Sequence, residues 1–181
     1  MREIDFLEME GEAGAQEQVV SLPKVGAITQ YLALLGLAVF LPFFHLQMVT
    51  GPLVNAILFI ATVVLGWRKA VSIAFIPSIV AFSVGLLPVA LGPMIPFIMV
   101  SNVILVMIFH ALWRKNYWLG VGSASVAKFV FLFGSGQVIF NLILKKDLAG
   151  PVASVLSWPQ LYTALLGGII AYVFLKFVKR I

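Results

Sequence analysis

The chain has 181 residues, of which 62% are hydrophobic and only 10% charged, with a mean hydropathy of +1.09. That composition excludes an ordinary water-soluble domain, and the long continuous apolar runs exclude a β-barrel, whose strands alternate over about ten residues. The net charge of +5 comes from basic residues at the ends of apolar stretches, where they orient helices in a bilayer rather than bind nucleic acid. With no cysteine there is no disulfide framework, thiolate metal site or cysteine nucleophile.

Residues 1–24 form an acidic leader. It holds Glu3, Asp5, Glu8, Glu10, Glu12 and Glu17, six of the chain's seven acidic residues, and lacks the basic start of a secretory signal. A soluble, disordered cytoplasmic tail is expected there. Residues 25–181 then read as a six-helix transmembrane domain, with spans over about 26–44, 52–66, 70–87, 93–112, 118–142 and 159–178.

Pro42 falls near the end of the first span, and residues 45–50 form an uncharged connection. Gly51-Pro52 reads as the start of the second span, closed by Trp67-Arg68-Lys69. Pro77 lies inside the third and is expected to kink it. The fourth runs from Pro93 to Leu112 and ends on Trp113-Arg114-Lys115. The fifth carries Lys128, and a loop beginning Lys145-Lys146-Asp147 leads to a sixth helix capped by Ser157-Trp158-Pro159-Gln160. The second and fourth spans share Gly-Pro, an asparagine and Trp-Arg-Lys; common boundary chemistry and an ancestral repeat are both open readings.

Six spans put both termini on one side. Nine of the twelve basic residues fall on that side, two on the other, and Lys128 lies between. The positive-inside rule then makes both termini cytoplasmic and the protein a multi-pass cell-membrane protein.

Lys128 is the main candidate functional residue. Ten residues in from Trp118, it lies about 15 Å deep, near the middle of a ~30 Å hydrocarbon core. A lysine there costs about 2.5–3.5 kcal/mol on insertion scales and normally faces the bundle interior. Binding a ligand, pairing with a carbonyl for packing, and snorkelling to an interface are the three readings. Counted from the outer surface, Asn102 is about 13 Å deep and Asn55 about one turn deep. Gln137 and Asn141 lie in the outer third of the fifth helix, and His45, Gln47 and Thr50 at the outer mouth. This places side-chain amides above a lysine floor, which suggests an outward-facing cavity; amides as helix-to-helix glue are the alternative. Gln137 is about 180° around an ideal helix from Lys128, so both reach one pocket only if Gly134-Ser135-Gly136 unwinds. Phe97, Phe131, Phe133 and Trp158 hint at a flat ring in the ligand.

No carboxylate lies in any span, and no nucleophile, zinc-binding or phosphate-loop motif occurs. His45 and His110 fall on opposite sides and cannot share a metal. The chain reads as a binding subunit powered by a partner, not an enzyme.

With six spans, both ends inside, no coupling residues and an outward polar cavity, the chain resembles the substrate-binding S components of energy-coupling factor transporters. The stretch Thr50-Gly51-Pro52-Leu53-Val54-Asn55-Ala56, the Pro93-Met94-Ile95-Pro96-Phe97 turn and Asn102 carry the likeness over residues 26–181. The resemblance implies capture of a vitamin or similar micronutrient from outside, and docking on a transmembrane coupling protein driven by two cytoplasmic ATPases. ATP is used by those partners, and the chain needs no cofactor or metal. The family's docking face, Ala-x-x-x-Ala on the first helix, is represented by Ala33, Gly36 and Ala38, which do not make that spacing. A stand-alone small-solute carrier or channel, or a ligand-free membrane assembly subunit, are the alternatives.

Overall fold

The computed structural model describes residues 25–87, 89–143 and 158–181, without the side chains of residues 25, 90 and 140–143. The acidic leader, the Lys145-Lys146-Asp147 loop and the Ser157 cap lie outside them. Six α-helices and no strand occur among the described residues: α1 (Val25–Phe40), α2 (Gln47–Val64), α3 (Trp67–Ser83), α4 (Ile95–Leu112), α5 (Tyr117–Ile143) and α6 (Trp158–Phe177). Five stretches, containing α1, α2, α4, α5 and α6, are long and apolar enough to cross a membrane, and the fold is that of a helical membrane protein. α3, at 17 residues, is not among these five.

α2 is the centre of the bundle. It packs against α1, α3, α4 and α6. Its middle, from Val54 to Thr62, is buried without a break. α1 is peripheral, resting on α3 and α2, with Ile28, Leu32, Leu37 and Phe40 exposed. These apolar side chains have a favourable place only in lipid or against another protein.

The boundaries differ from the sequence reading in two informative ways. α2 begins at Gln47, not at Gly51-Pro52. The residues of a helix's first turn need no internal acceptor for their N–H groups. Pro52 falls just past that turn, where it removes the donor to the Met48 carbonyl and its ring crowds that carbonyl. Trp67-Arg68-Lys69 opens α3 rather than closing α2, because the reversal is made at Leu65-Gly66, where Gly66 has φ +84°. Only glycine takes that conformation without a Cβ penalty. The third helix stops at Ser83, and Gly85 (φ +75°) turns the chain.

Arg68, Lys69, Arg114, Lys115 and Lys176 gather at one end of the bundle. Arg68 lies over Trp67 at 5.4 Å, Arg114 over Trp113 at 5.6 Å and Lys176 over Tyr172 at 5.9 Å. Amphipathic rings beside cations are what a membrane–water boundary favours.

The tightest helix crossing is α2 on α6. A Cβ at Gly167 would sit 2.7 Å from Asn55 Cβ and 2.7 Å from the Pro52 carbonyl oxygen. Small residues let backbones approach closely where lipid removes the hydrophobic drive for association. Tyr117 donates to the Gly168 carbonyl at 2.8 Å and ties α5 to the same stripe. Gly167→Ala is expected to destabilise the detergent-solubilised protein by about 1–3 kcal/mol, read as a lower melting temperature. Gly36→Ala, where a Cβ would meet nothing within 4 Å, should leave the melt unchanged.

Candidate functional site

Lys128, Asn55 and Asn102 meet inside the bundle. Each comes from a different helix (α5, α2 and α4), and they are 3%, 2% and 3% exposed. Lys128 Nζ donates to Asn55 Oδ1 at 2.7 Å and to Asn102 Oδ1 at 2.7 Å. Asn102 Nδ2 in turn donates to the Ala74 carbonyl at 3.1 Å and to Ser78 Oγ at 3.4 Å. The network thus joins four helices. The earlier start of α2 puts Asn55 eight residues inside its helix, about 12 Å along the axis rather than one turn deep. That places Asn55 level with a lysine at mid-helix.

Pro77 contributes indirectly. Its missing N–H and its ring loosen the helical ladder of α3 locally. Beside it, Ala74 and Ser78 offer a carbonyl and a hydroxyl that Asn102 reaches across the interface. The orientation of the Asn102 amide is set by this contact, since only its nitrogen can donate to a carbonyl.

The triad forms the floor of a cavity of about 90 Å³. Its walls include Gln47, Thr50, Val54, Ser78, Ile98 and Gln160, and its rim carries Pro42, Leu86, Leu87 and Pro159. The rim is built from the α1–α2 turn, the α3–α4 turn and the start of α6. It faces away from the basic end of the bundle.

Not every candidate is brought here. Gln47 lines the cavity. α5 runs as a continuous helix through Gly134-Ser135-Gly136, so no unwinding turns Gln137 toward Lys128, and Gln137 is exposed. The Asn141 side chain lies outside the described residues. Phe97, Phe131, Phe133 and Trp158 do not line the cavity; Phe97 and Phe131 border a separate apolar groove between α4 and α5. On α1, Ala33 and Gly36 are exposed, while Ala38 is fully buried in the core, so the three do not share one outward face.

His45, another candidate, does not line the cavity and lies in the turn between α1 and α2. It has φ 54°, and its Nδ1 lies 2.7 Å from the Phe43 carbonyl and its Nε2 2.8 Å from the Val84 carbonyl. Both partners are acceptors, so both contacts are hydrogen bonds only when both ring nitrogens carry protons. His45 then clasps the α1–α2 turn to the end of α3.

Thr50, placed at the outer mouth by the sequence, lines the cavity, whereas sequence reasoning missed Ser78, Thr163 and Gln160. Gln160 had been assigned to capping; its amide at the same end as Gln47 was the available signal. Ser78 and Thr163 carried none, because a hydroxyl in a helix commonly bonds back to its own backbone. Thr163 illustrates this, donating to the Gln160 carbonyl at 3.2 Å.

Comparison with protein-family models, curated proteins and solved structures finds no match for this chain.

Two outcomes follow. Asn102→Ala leaves Lys128 with one acceptor and the Ala74 carbonyl without its cross-helix donor, and should cost about 1.5–3 kcal/mol. Lys128→Met combined with Asn102→Leu should recover most of that loss, because an all-apolar replacement carries no desolvation cost; thermal melts of the single and double variants test both. Separately, the Phe43 and then the Val84 carbonyl raise the His45 pKa above its ordinary 6.5. A raised folded-state value means the clasp's contribution is complete below the unfolded pKa and is lost as pH rises through the folded one. NMR titration of ring-labelled protein should place His45 above its ordinary value, and His45→Gln should flatten the pH dependence of the melt as pH rises past 6.5.

Proposed function

We propose that this chain is the substrate-capture subunit of an ATP-driven micronutrient importer of the energy-coupling factor type, seated in the cell membrane. The observation that carries the reading is a buried lysine, shared by two asparagines, on the floor of a cavity in a chain whose apolar helices contain no carboxylate. Such a cation has no counter-charge among the described residues, and intramembrane ionisable groups mark ligand or ion pathways. The same lack of carboxylates leaves no coupling group for a proton- or sodium-driven carrier, so the power must come from elsewhere.

In this reading all six helices span the bilayer. α3 at 17 residues is at the lower limit for a span. The basic end faces the cytoplasm, both termini lie there, and the cavity rim faces outward. α1, with its exposed apolar side chains and the small residues Ala33 and Gly36, is the face offered to a transmembrane coupling protein. Two cytoplasmic ATPases supply the energy.

The cavity volume favours one second reading. About 90 Å³ is well below the roughly 300–1,000 Å³ that encloses a drug-sized ligand. A stand-alone carrier or channel for a compact solute would need no more. Gentle solubilisation from the native host followed by native mass spectrometry separates the two. The importer reading expects a second membrane protein and two ATPases with the chain. A bare chain that moves solute across liposomes without ATP would replace it with the carrier.

A further inference from the structure

The hydrogen-bond polarity of the cavity floor is one-sided. The Asn102 oxygen faces Lys128 because its nitrogen is held by the Ala74 carbonyl. An ammonium group accepts nothing, so Asn55 must also present its oxygen to Lys128, which turns its Nδ2 away from the lysine. Both amide oxygens at the floor are therefore engaged. What the floor still offers is donors: the third N–H of Lys128, the Asn55 Nδ2, for which the described residues supply no acceptor, and the Ser78 hydroxyl, whose oxygen already accepts from Asn102. A cationic ligand would meet the Lys128 ammonium at this floor, with only the second lone pairs of oxygens that already accept a hydrogen bond to receive it.

Charge and size narrow the class further. The floor carries one cation, and no acidic residue lies in any helix among the described residues. One monovalent anion neutralises it; a phosphate dianion would bring a second, uncompensated charge into a low-dielectric site, where arginine forks or helix N-termini are the usual support. Above the floor, Val54, Ala81, Leu87 and Ile98 form an apolar part of the lining, beside the polar Gln47, Thr50 and Gln160. A volume of about 90 Å³ accommodates a carboxylate group with a short hydrocarbon part.

Resting on the capture reading, we propose that the cavity takes a compact monocarboxylate, its carboxylate on Lys128 Nζ and the Asn55 amide and its hydrocarbon part against the apolar wall. The group recognised is the carboxylate itself, whether it belongs to a small free acid or to the acidic end of a larger molecule that reaches past the rim.

The test uses the full-length chain in nanodiscs and a matched series: butyrate, butyramide, butylammonium and inorganic phosphate. Saturable binding is followed by thermal shift and isothermal calorimetry. Butyrate is expected to bind at least about tenfold more tightly than butyramide, as a charge-assisted contact requires. Lys128→Met should abolish that difference. Should Lys128→Met fail to fold, Asn55→Asp keeps a partner for the lysine while supplying an internal counter-charge, and should also abolish it. Preference for butyramide, butylammonium or phosphate at a site sensitive to these variants would overturn the carboxylate assignment and leave the capture reading standing. Absence of binding by the whole series would overturn the carboxylate assignment, and if native mass spectrometry then shows neither a retained small molecule nor ATPase partners, the capture reading falls with it.

Discussion

Burying one ammonium group without a counter-charge is the constraint around which this bundle is arranged. A mid-helix lysine in an apolar chain must be surrounded by acceptors, and the acceptors must themselves be held. Asn55 and Asn102 supply the oxygens, and Asn102 is anchored in turn on α3 beside Pro77. Four of the six helices are thereby committed to a single point. Two charge-assisted hydrogen bonds of about 1.5–3 kcal/mol each are comparable to the roughly 2.5–3.5 kcal/mol cost of placing a lysine at that depth. The balance is close, so the position tolerates a lysine without being a large source of stability.

The remaining stability comes from packing. α2 lies at the centre because its residues from Val54 to Thr62 suit burial on every side, with Asn55 as the one side chain there that requires a polar partner outside its own helix. Thr62 bonds back to the Leu58 carbonyl at 2.7 Å and needs nothing from its neighbours. α6 approaches α2 closely because Gly51 and Gly167 leave room, and the same closeness fixes the Asn55 Cβ. The polar triad and the small-residue crossing therefore share an atom, and neither can shift far without the other.

Much of this was legible in the sequence, for reasons that also explain what was not. Hydropathy showed the helices, since lipid requires every backbone group to be bonded within its own segment. Counting residues from the interfacial aromatics put Lys128 and Asn102 near one level, because rise per residue is constant in a helix. Asn55 lies deeper than Gly51-Pro52 suggests, because proline near a helix start is tolerated and the helix begins four residues earlier, at Gln47. Trp67-Arg68-Lys69 misled in the same way: boundary residues mark the membrane surface without telling which helix they belong to. Gln137 shows the opposite case, where the helical angle alone already separated it from Lys128. The contribution of Ser78 could not be read, because a serine gains a role only when another helix brings an amide to it.

Trp158 gives the molecule an optical property that follows from its position. The other three tryptophans, Trp67, Trp113 and Trp118, lie toward the basic end, while Trp158 stands alone at the opposite end, on the first turn of the helix that carries Gly167. It is largely exposed and stacks on Phe129, the residue after Lys128, with ring centroids 5.4 Å apart. A single indole is thus in contact with the helix that bears the lysine and rides on the helix locked against Asn55. Its emission reports on the contact between α5 and the start of α6, at the end of the bundle away from the other three tryptophans.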